Sequence, residues 1–221
     1  MIEHHIQKDI LLRLSKASSL RFSELKPTDM ESNMFMYHLK QLQSQKLVDK
    51  NADGYTLSDE GLSYIDGFSF HTLKPRKQPK IISILVIKNH TGELLLARRK
   101  YQPYIHQYMF VSGKQHLGEG PEEHACRELH DKLNMDIPLV RRGLSDIRIY
   151  RNDKIITHVT AHIYEGIAKT NELPPNTHQF DFEWVAETNT GIKLLGGTRE
   201  IIESLHTHKD LFFLSLDAQD E

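Results

Sequence analysis

Hydrophobic residues in the first third of the chain recur at the spacing of α-helices. The apolar positions of the first predicted helix are Ile6, Ile10, Leu11 and Leu14. Phe22 and Leu25 suit a short second helix. A third helix with Ser32 as its N-cap would bury Phe35, Leu39 and Leu42, which follow one another at i, i+4 and i+7. The pattern therefore predicts three short helices before residue 46.

The opposite face of the third helix is polar. It carries Asn33, Tyr37, Lys40 and Gln41, together with Met36. His38 is interpreted as a partly buried packing residue. The next segments, Leu47–Lys50 and Tyr55–Leu57, flank an Asp-Gly turn and predict a β-hairpin, and a last helix is expected to begin near Ser58.

The rest of the chain has the pattern of a sheet interrupted by one long helix. Ile81–Ile87 and Glu93–Ala97 are short apolar runs around His90–Glu93 and predict a β-hairpin. Later, the alternation in Thr157–Tyr164 places four polar or aromatic residues on one strand face, as surface groups or the wall of a pocket; these are His158, Thr160, His162 and Tyr164. Trp184 is expected in the core rather than as a platform on which a base stacks.

The long helix begins at Pro121, where the missing N–H of proline costs nothing. Ala125, Leu129 and Leu133 form an apolar stripe along it, and Cys126 beside them is expected to be buried. On another side His124, Glu128, Asp131 and Lys132 lie together, within reach of the loop that carries Glu119. His124 is interpreted there as part of an ordinary polar face.

Composition limits the class of protein. The 221 residues suffice for one large domain or two small ones, and 38% hydrophobic and 26% charged residues with a mean hydropathy of −0.50 exclude collagen-like and wholly disordered chains. The single cysteine excludes an intramolecular disulfide framework. The start of the sequence is polar and the longest apolar run has seven residues, so we expect no signal peptide, no membrane span and a cytoplasmic location.

A seam with two prolines and four cations at residues 72–80 is interpreted as a linker, so we predict domains over residues 1–71 and 81–221. Up to residue 80 the chain has 12 Lys and Arg against 10 Asp and Glu, and the remainder has 16 against 20. This slight basic excess permits contact between the first domain and nucleic acid without demonstrating it.

Residues 5–68, with FSELKP, MFMYHLKQLQSQKLVDK and GYTLSDEGLSYI, resemble the winged-helix domains of bacterial regulators. The resemblance implies that residues 32–45 are a recognition helix in a DNA major groove and that the wing at residues 49–55 touches the DNA backbone. Asn33, Tyr37, Lys40 and Gln41 would then meet DNA, in a dimer. The alternative is a protein-binding or dimerising winged helix in which the same four residues are a solvated face.

The loop and helix from residue 113 to 135 resemble the signature G-x5-E-x7-R-E-U-x-E-E-x-G-U of the Nudix family, where U is aliphatic. The matching residues are Gly113, Glu119, Arg127, Glu128 and Leu129. The resemblance covers residues 78–210 and implies an α/β/α sandwich with a mixed sheet, so the whole chain is of the α+β class. It also implies Mg²⁺ on Glu119, Glu128 and Asp131, with Glu128, Asp131 and Arg127 acting in the hydrolysis of a nucleoside diphosphate linked to another group.

This chain departs from the signature at Asp131, Lys132 and Asn134. Lys132 puts an ammonium where the family has a carboxylate, and it can pair with Glu128 at i, i+4. Because two cations in one small site repel each other, we expect Mg²⁺ binding to be weak or lost.

The cations Arg98, Arg99, Lys114 and Lys132 could contact the phosphates of a ligand, or form a solvated basic edge. Two main functions follow. The chain is either a DNA-binding regulator whose Nudix-like domain senses a nucleoside-diphosphate derivative, or a Mg²⁺-dependent Nudix hydrolase that has kept enough of its site. A third possibility is a winged helix that binds another protein and is fused to an inactive enzyme domain.

Overall fold

A computed structural model describes residues 2, 4–69, 74–189 and 191–220. The chain divides into two compact units between Lys77 and Gln78. This boundary lies within the predicted linker at residues 72–80, of which residues 72 and 73 fall outside the described part. Lys74–Pro75 pairs with Phe68–Ser69, and Lys80 begins a long strand, so residues 74, 75 and 80 of the predicted linker belong to strands.

Among its described residues, the first unit contains four helices, a hairpin and a second short pair of strands. In chain order its elements are α1 (His5–Leu14), α2 (Phe22–Leu25), α3 (Ser32–Ser44), β1 (Val48–Asn51), β2 (Gly54–Leu57), α4 (Asp59–Asp66), β3 (Phe68–Ser69) and β4 (Lys74–Pro75). Each helix and the hairpin lie where the hydrophobic pattern predicts them. The N-cap of α3 is a correction: it is Glu31, and Ser32 is already helical because its backbone has entered the first turn.

Apolar packing between α1 and α3 holds the first unit together. Phe35, Leu39 and Leu42 of α3 are fully buried in one cluster with the apolar side of α1. His38 is buried on the same helix, as expected. The hairpin turn depends on Gly54, which has φ +139°, and a Cβ there would lie 2.5 Å from the carbonyl oxygen of Leu20.

The second unit is a seven-stranded sheet with helices. Its elements are β5 (Lys80–Lys88), β6 (Leu94–Arg99), β7 (Tyr108–Lys114), α5 (Pro121–Leu133), β8 (Val140–Arg151), β9 (Lys154–Ile167), β10 (Phe180–Val185), α6 (Thr198–Thr207) and β11 (Phe212–Gln219). The strand order is β10-β6-β7-β5-β9-β8-β11. The hairpin predicted for the first two runs is a correction: β5 and β6 pair only at Lys88 and Leu94, because β7 lies between them in the rest of the sheet. The pairs β5–β9 and β8–β11 are parallel and the other pairs antiparallel, so the sheet is mixed as predicted.

Alternate residues of the central strand β5 enter two separate cores, because successive side chains of a strand point to opposite faces. Ile84 and Val86 pack in a cluster that includes Ile201 of α6. Leu85 and Ile87 pack in a second cluster with the stripe of α5 predicted from the sequence. The sheet is thus covered by α5 on one face and by α6 on the other.

Three predictions about single residues in this unit need correction or refinement. Cys126 is exposed, not buried, because it is turned about 100° around the helix from Ala125, which carries the stripe. Trp184 is half-buried, and its indole Nε1 donates to the carbonyl oxygen of Asn171 at 2.9 Å. Of the polar face on β9, Tyr164 is buried, whereas His158 pairs with Asp146 at 2.9 Å.

None of the helices in the described residues is long and apolar enough to cross a membrane.

Candidate functional site: a charge-paired signature and a cationic cleft

The guanidinium of Arg127 contacts all three carboxylates of the signature. Arg127 Nε donates to Glu119 Oε1 at 2.6 Å, and Arg127 Nη2 donates to Glu119 Oε2 at 3.1 Å. Arg127 Nη1 donates to Glu128 Oε1 at 2.8 Å and lies 3.7 Å from Asp131 Oδ2. Arg127 therefore bridges the three carboxylates that the sequence nominated as metal ligands.

This arrangement keeps Glu119 ionised. Its hydrogen bonds from Arg127, and then from the backbone N–H of His116 at 3.0 Å, lower the pKa of Glu119 to about 2. The same contact with Glu119 raises the pKa of Arg127. Both groups are charged at neutral pH and bound to each other.

Glu128 lies against strand β7 at a position that only glycine allows. A Cβ on Gly113 would lie within 2.1 Å of all three atoms of the Glu128 carboxyl group. The side chain of Glu128 is almost completely buried. Lys132, one turn further along α5, places Nζ 2.8 Å from Glu128 Oε2 and donates a hydrogen bond to the carbonyl oxygen of Ser112. The ion pair predicted from the i, i+4 spacing is present.

His124, which lies next to Glu128, was predicted wrongly. It is fully buried between α5 and the sheet, not on an ordinary polar face. Its Nδ1 is 2.9 Å from Ser83 Oγ, and its Nε2 is 3.7 Å from Glu128 Oε1. Burial lowers the pKa of His124 below 6.5, so the imidazole is neutral at pH 7 and adds no charge to the site.

These residues do not fit a Mg²⁺ ion. Such an ion needs about six oxygen ligands at about 2.1 Å, and the oxygens of Glu128 and Ser112 already hold the ammonium of Lys132. Glu119 is held on both oxygens by Arg127, and Asp131 is 56% exposed. Among the described residues no group of three His, Cys, Asp or Glu side chains has the geometry of a metal site.

A cleft of about 440 Å³ includes Lys132 of α5 in its lining and is otherwise formed by strands of the sheet, their connecting segments and the start of α6. Four cationic side chains line it: Lys80, Arg99, Lys114 and Lys132. No described carboxylate lines the cleft. Burial, followed by the charges of Lys114 and Arg99, lowers the pKa of Lys80, which means that these cations repel one another. Such an electrostatic field favours an anion.

Aromatic rings form another wall of the cleft. The guanidinium carbon of Arg99 lies 4.1 Å from the centre of the Tyr101 ring, and the rings of Tyr101 and Phe180 meet edge to face at 5.8 Å. Tyr104 lines the cleft as well, and its hydroxyl donates to Thr157 Oγ1 at 2.8 Å. The cleft thus combines positive charge with flat apolar surfaces.

The structure brings together three of the four cations that the sequence nominated for ligand binding. Arg99, Lys114 and Lys132 line the cleft, whereas Arg98 does not. Sequence reasoning missed Lys80, which it assigned to the linker, and the aromatic residues. The available signal was the position of Tyr101 and Phe180 in or beside segments that connect strands, where binding residues concentrate.

In the first unit, the four residues nominated for DNA contact share the outer face of α3. Asn33, Tyr37 and Lys40 are exposed and Gln41 is half-buried. Tyr37 is 60% exposed, which is a large exposure for an aromatic side chain. None of the four packs in the core of the unit.

Comparison with solved structures identifies the fold. A MutT protein from Bacillus halodurans matches over 62% of this chain and 89% of its own, with a TM-score of 0.52 and 15% identity. The second unit has the Nudix fold. The Nudix domain of Shewanella oneidensis NrtR, solved in complex with ADP ribose, matches over 66% of this chain and 96% of its own, with a TM-score of 0.50 and 14% identity. No protein-family model and no curated protein matches the sequence.

Proposed function

We propose that the protein is a cytoplasmic, homodimeric DNA-binding transcriptional regulator whose Nudix unit, Gln78–Glu221, senses a nucleoside-diphosphate derivative without hydrolysing it efficiently. One observation carries the ligand part of this proposal. The signature carboxylates are already paired with Arg127 and Lys132, whereas the adjacent cleft is lined by cations and by no described carboxylate.

The chemistry of the cleft suits both halves of such a ligand. A diphosphate carries negative charge that Lys80, Lys114 and Lys132 could neutralise, and a base could stack on Tyr101 or Phe180. ADP-ribose is the first ligand to test, because a Nudix domain of the same fold is solved in complex with it.

The DNA part of the proposal rests on the first unit. Three helices followed by a hairpin are the elements of a winged helix, and the exposed face of α3 offers Asn33, Tyr37, Lys40 and Gln41 to a groove. A ligand that prefers one arrangement of the dimer would change the affinity for DNA.

Selection from random duplex DNA tests this part. We expect an enriched site and a steep salt dependence: if 6 to 10 phosphates are contacted, affinity falls by about 10³ to 10⁵ between 50 and 200 mM salt. Lys40→Ala weakens binding, whereas Lys16→Ala, an exposed cation in the same unit but outside α3, leaves it unchanged. If no site is enriched and binding is absent or insensitive to salt, the regulator proposal fails.

Coupling between the units is measured separately. At a fixed DNA concentration, ADP-ribose is expected to shift the affinity for the selected site by about 5- to 150-fold, the usual range of allosteric coupling. An effect of ADP-ribose on DNA affinity that persists in Arg99→Gln would mean that the cleft is not the sensing site.

A further inference from the structure

We propose that the ammonium of Lys132 is a tethered replacement for the metal ion of the Nudix signature, and that it binds a phosphate of the ligand directly. This inference rests on the proposed ligand-sensing function. It assigns to one side chain both the charge compensation of Glu128 and the recognition of phosphate.

The position of Lys132 Nζ supports the first role. It lies 2.8 Å from Glu128 Oε2 and donates to the carbonyl oxygen of Ser112. A carboxylate and a backbone carbonyl are the oxygen donors that a hard cation prefers, and here an ammonium occupies the space between them. Gly113 makes this possible, since any larger residue there would displace the Glu128 carboxylate.

The surroundings of Lys132 support the second role. An ammonium has three protons; the Ser112 carbonyl accepts one and the contact with Glu128 Oε2 at 2.8 Å uses a second, which leaves one for a further acceptor. Lys132 lines the same cleft as Lys80, Arg99 and Lys114, and its side chain is 31% exposed. A phosphate bound by these cations can therefore accept a hydrogen bond from Lys132 without breaking the contact with Glu128.

The replacement also changes what the site can do. A hydrated Mg²⁺ ion can orient and activate a water molecule for attack on a phosphate, whereas an ammonium neutralises charge without supplying a nucleophile. The same side chain thus favours binding of a diphosphate and disfavours its hydrolysis.

Calorimetric titration of the full-length protein with ADP-ribose, in EDTA and in Mg²⁺, tests the proposal. The wild type is expected to bind equally in both conditions. Lys132→Met keeps an unbranched side chain, one atom shorter, but loses the charge, and it should weaken binding in EDTA by about 10- to 100-fold, as for a lost hydrogen bond to a charged group. The matched control Lys169→Met removes an exposed lysine outside the cleft and should bind as the wild type does.

A second titration uses the metal alone and does not depend on the ligand. Lys132→Glu adds a carboxylate to Glu119, Glu128 and Asp131 and removes the ammonium, so it should bind Mg²⁺, while the wild type should not. If the wild type binds Mg²⁺, or if Lys132→Met binds ADP-ribose in EDTA as tightly as the wild type, the inference is overturned. If the wild type binds no ADP-ribose but the metal result holds, the charge replacement stands, and phosphate recognition by Lys132 and the proposed sensing of ADP-ribose are both rejected.

Discussion

The signature helix and the cleft differ in whether their charged side chains form ion pairs. Around Arg127, each carboxylate of the signature has a cationic partner within 3.7 Å. In the cleft, none of the ion pairs of the described residues includes Lys80, Arg99 or Lys114. The signature residues pair their charges with one another, whereas three cations of the cleft have no carboxylate partner among the described residues. The difference favours a protein that holds a diphosphate over one that activates a metal-bound water.

The largest expected effect comes from removing a cation of the cleft. Arg99→Gln loses the charge that lies over the Tyr101 ring, and should weaken ADP-ribose binding by about 10- to 100-fold in EDTA. Arg98→Gln is the matched control, because the adjacent arginine does not line the cleft. Calorimetry that finds equal losses for both variants would mean that the charge of the cleft is not what binds the ligand.

An effect of similar size, on stability rather than on binding, is expected from the contact between Glu128 and β7. Gly113→Ala forces a methyl group into the space of a buried carboxylate that Arg127 and Lys132 hold, so it should lower the free energy of unfolding by about 1 to 3 kcal/mol. Urea denaturation measures this. The control is Gly120→Ala, because a Cβ there meets no atom within 4 Å, and it should lower the free energy of unfolding by less. Gly118 does not serve as a control, because its φ of +84° would strain any other residue. Equal costs at positions 113 and 120 would count against the close approach of Glu128.

The smallest expected effect is a change in acid stability. The pKa of Glu119 is about 2 in the folded protein and near 4.5 when unperturbed, so its ionised form stabilises the fold above about pH 4.5, and this stabilisation is lost as the pH falls toward 2. Arg127→Met should lower Tm at pH 7, and the gap from the wild type should narrow below pH 4.5. A gap that stays constant from pH 7 to 3 would contradict the charge pairing. Arg127 is 26% exposed, and screening by water limits the magnitude.

Much of the fold could be predicted because hydrophobic periodicity is a local property. The stripe of Ala125, Leu129 and Leu133 and the pairing of Lys132 with Glu128 follow from helix geometry alone. Cys126 was predicted wrongly because adjacency to an apolar stripe in sequence is not adjacency on the helix surface. His124 was wrong because its burial depends on Ser83, a residue 41 positions away in the chain.

The residues that line the cleft could not be predicted from the sequence, because they come from segments that are far apart in the chain. Lys80, at the start of β5, and Phe180, at the start of β10, come together only once the sheet has assembled. The two adjacent arginines illustrate the same limit: composition cannot distinguish Arg99, which lines the cleft, from Arg98, which does not. As successive residues of β6 they point to opposite faces of the sheet, and the sequence does not say which face the cleft occupies.

The most direct test of the account is a single assay of the wild-type protein with ADP-ribose in the presence of Mg²⁺, in which bound ligand and released AMP are measured together. The account predicts a saturable complex, unchanged when EDTA replaces Mg²⁺, from which intact ADP-ribose is recovered. Release of AMP at about 1 per second or faster, dependent on Mg²⁺, would contradict it and identify the protein as a Nudix hydrolase.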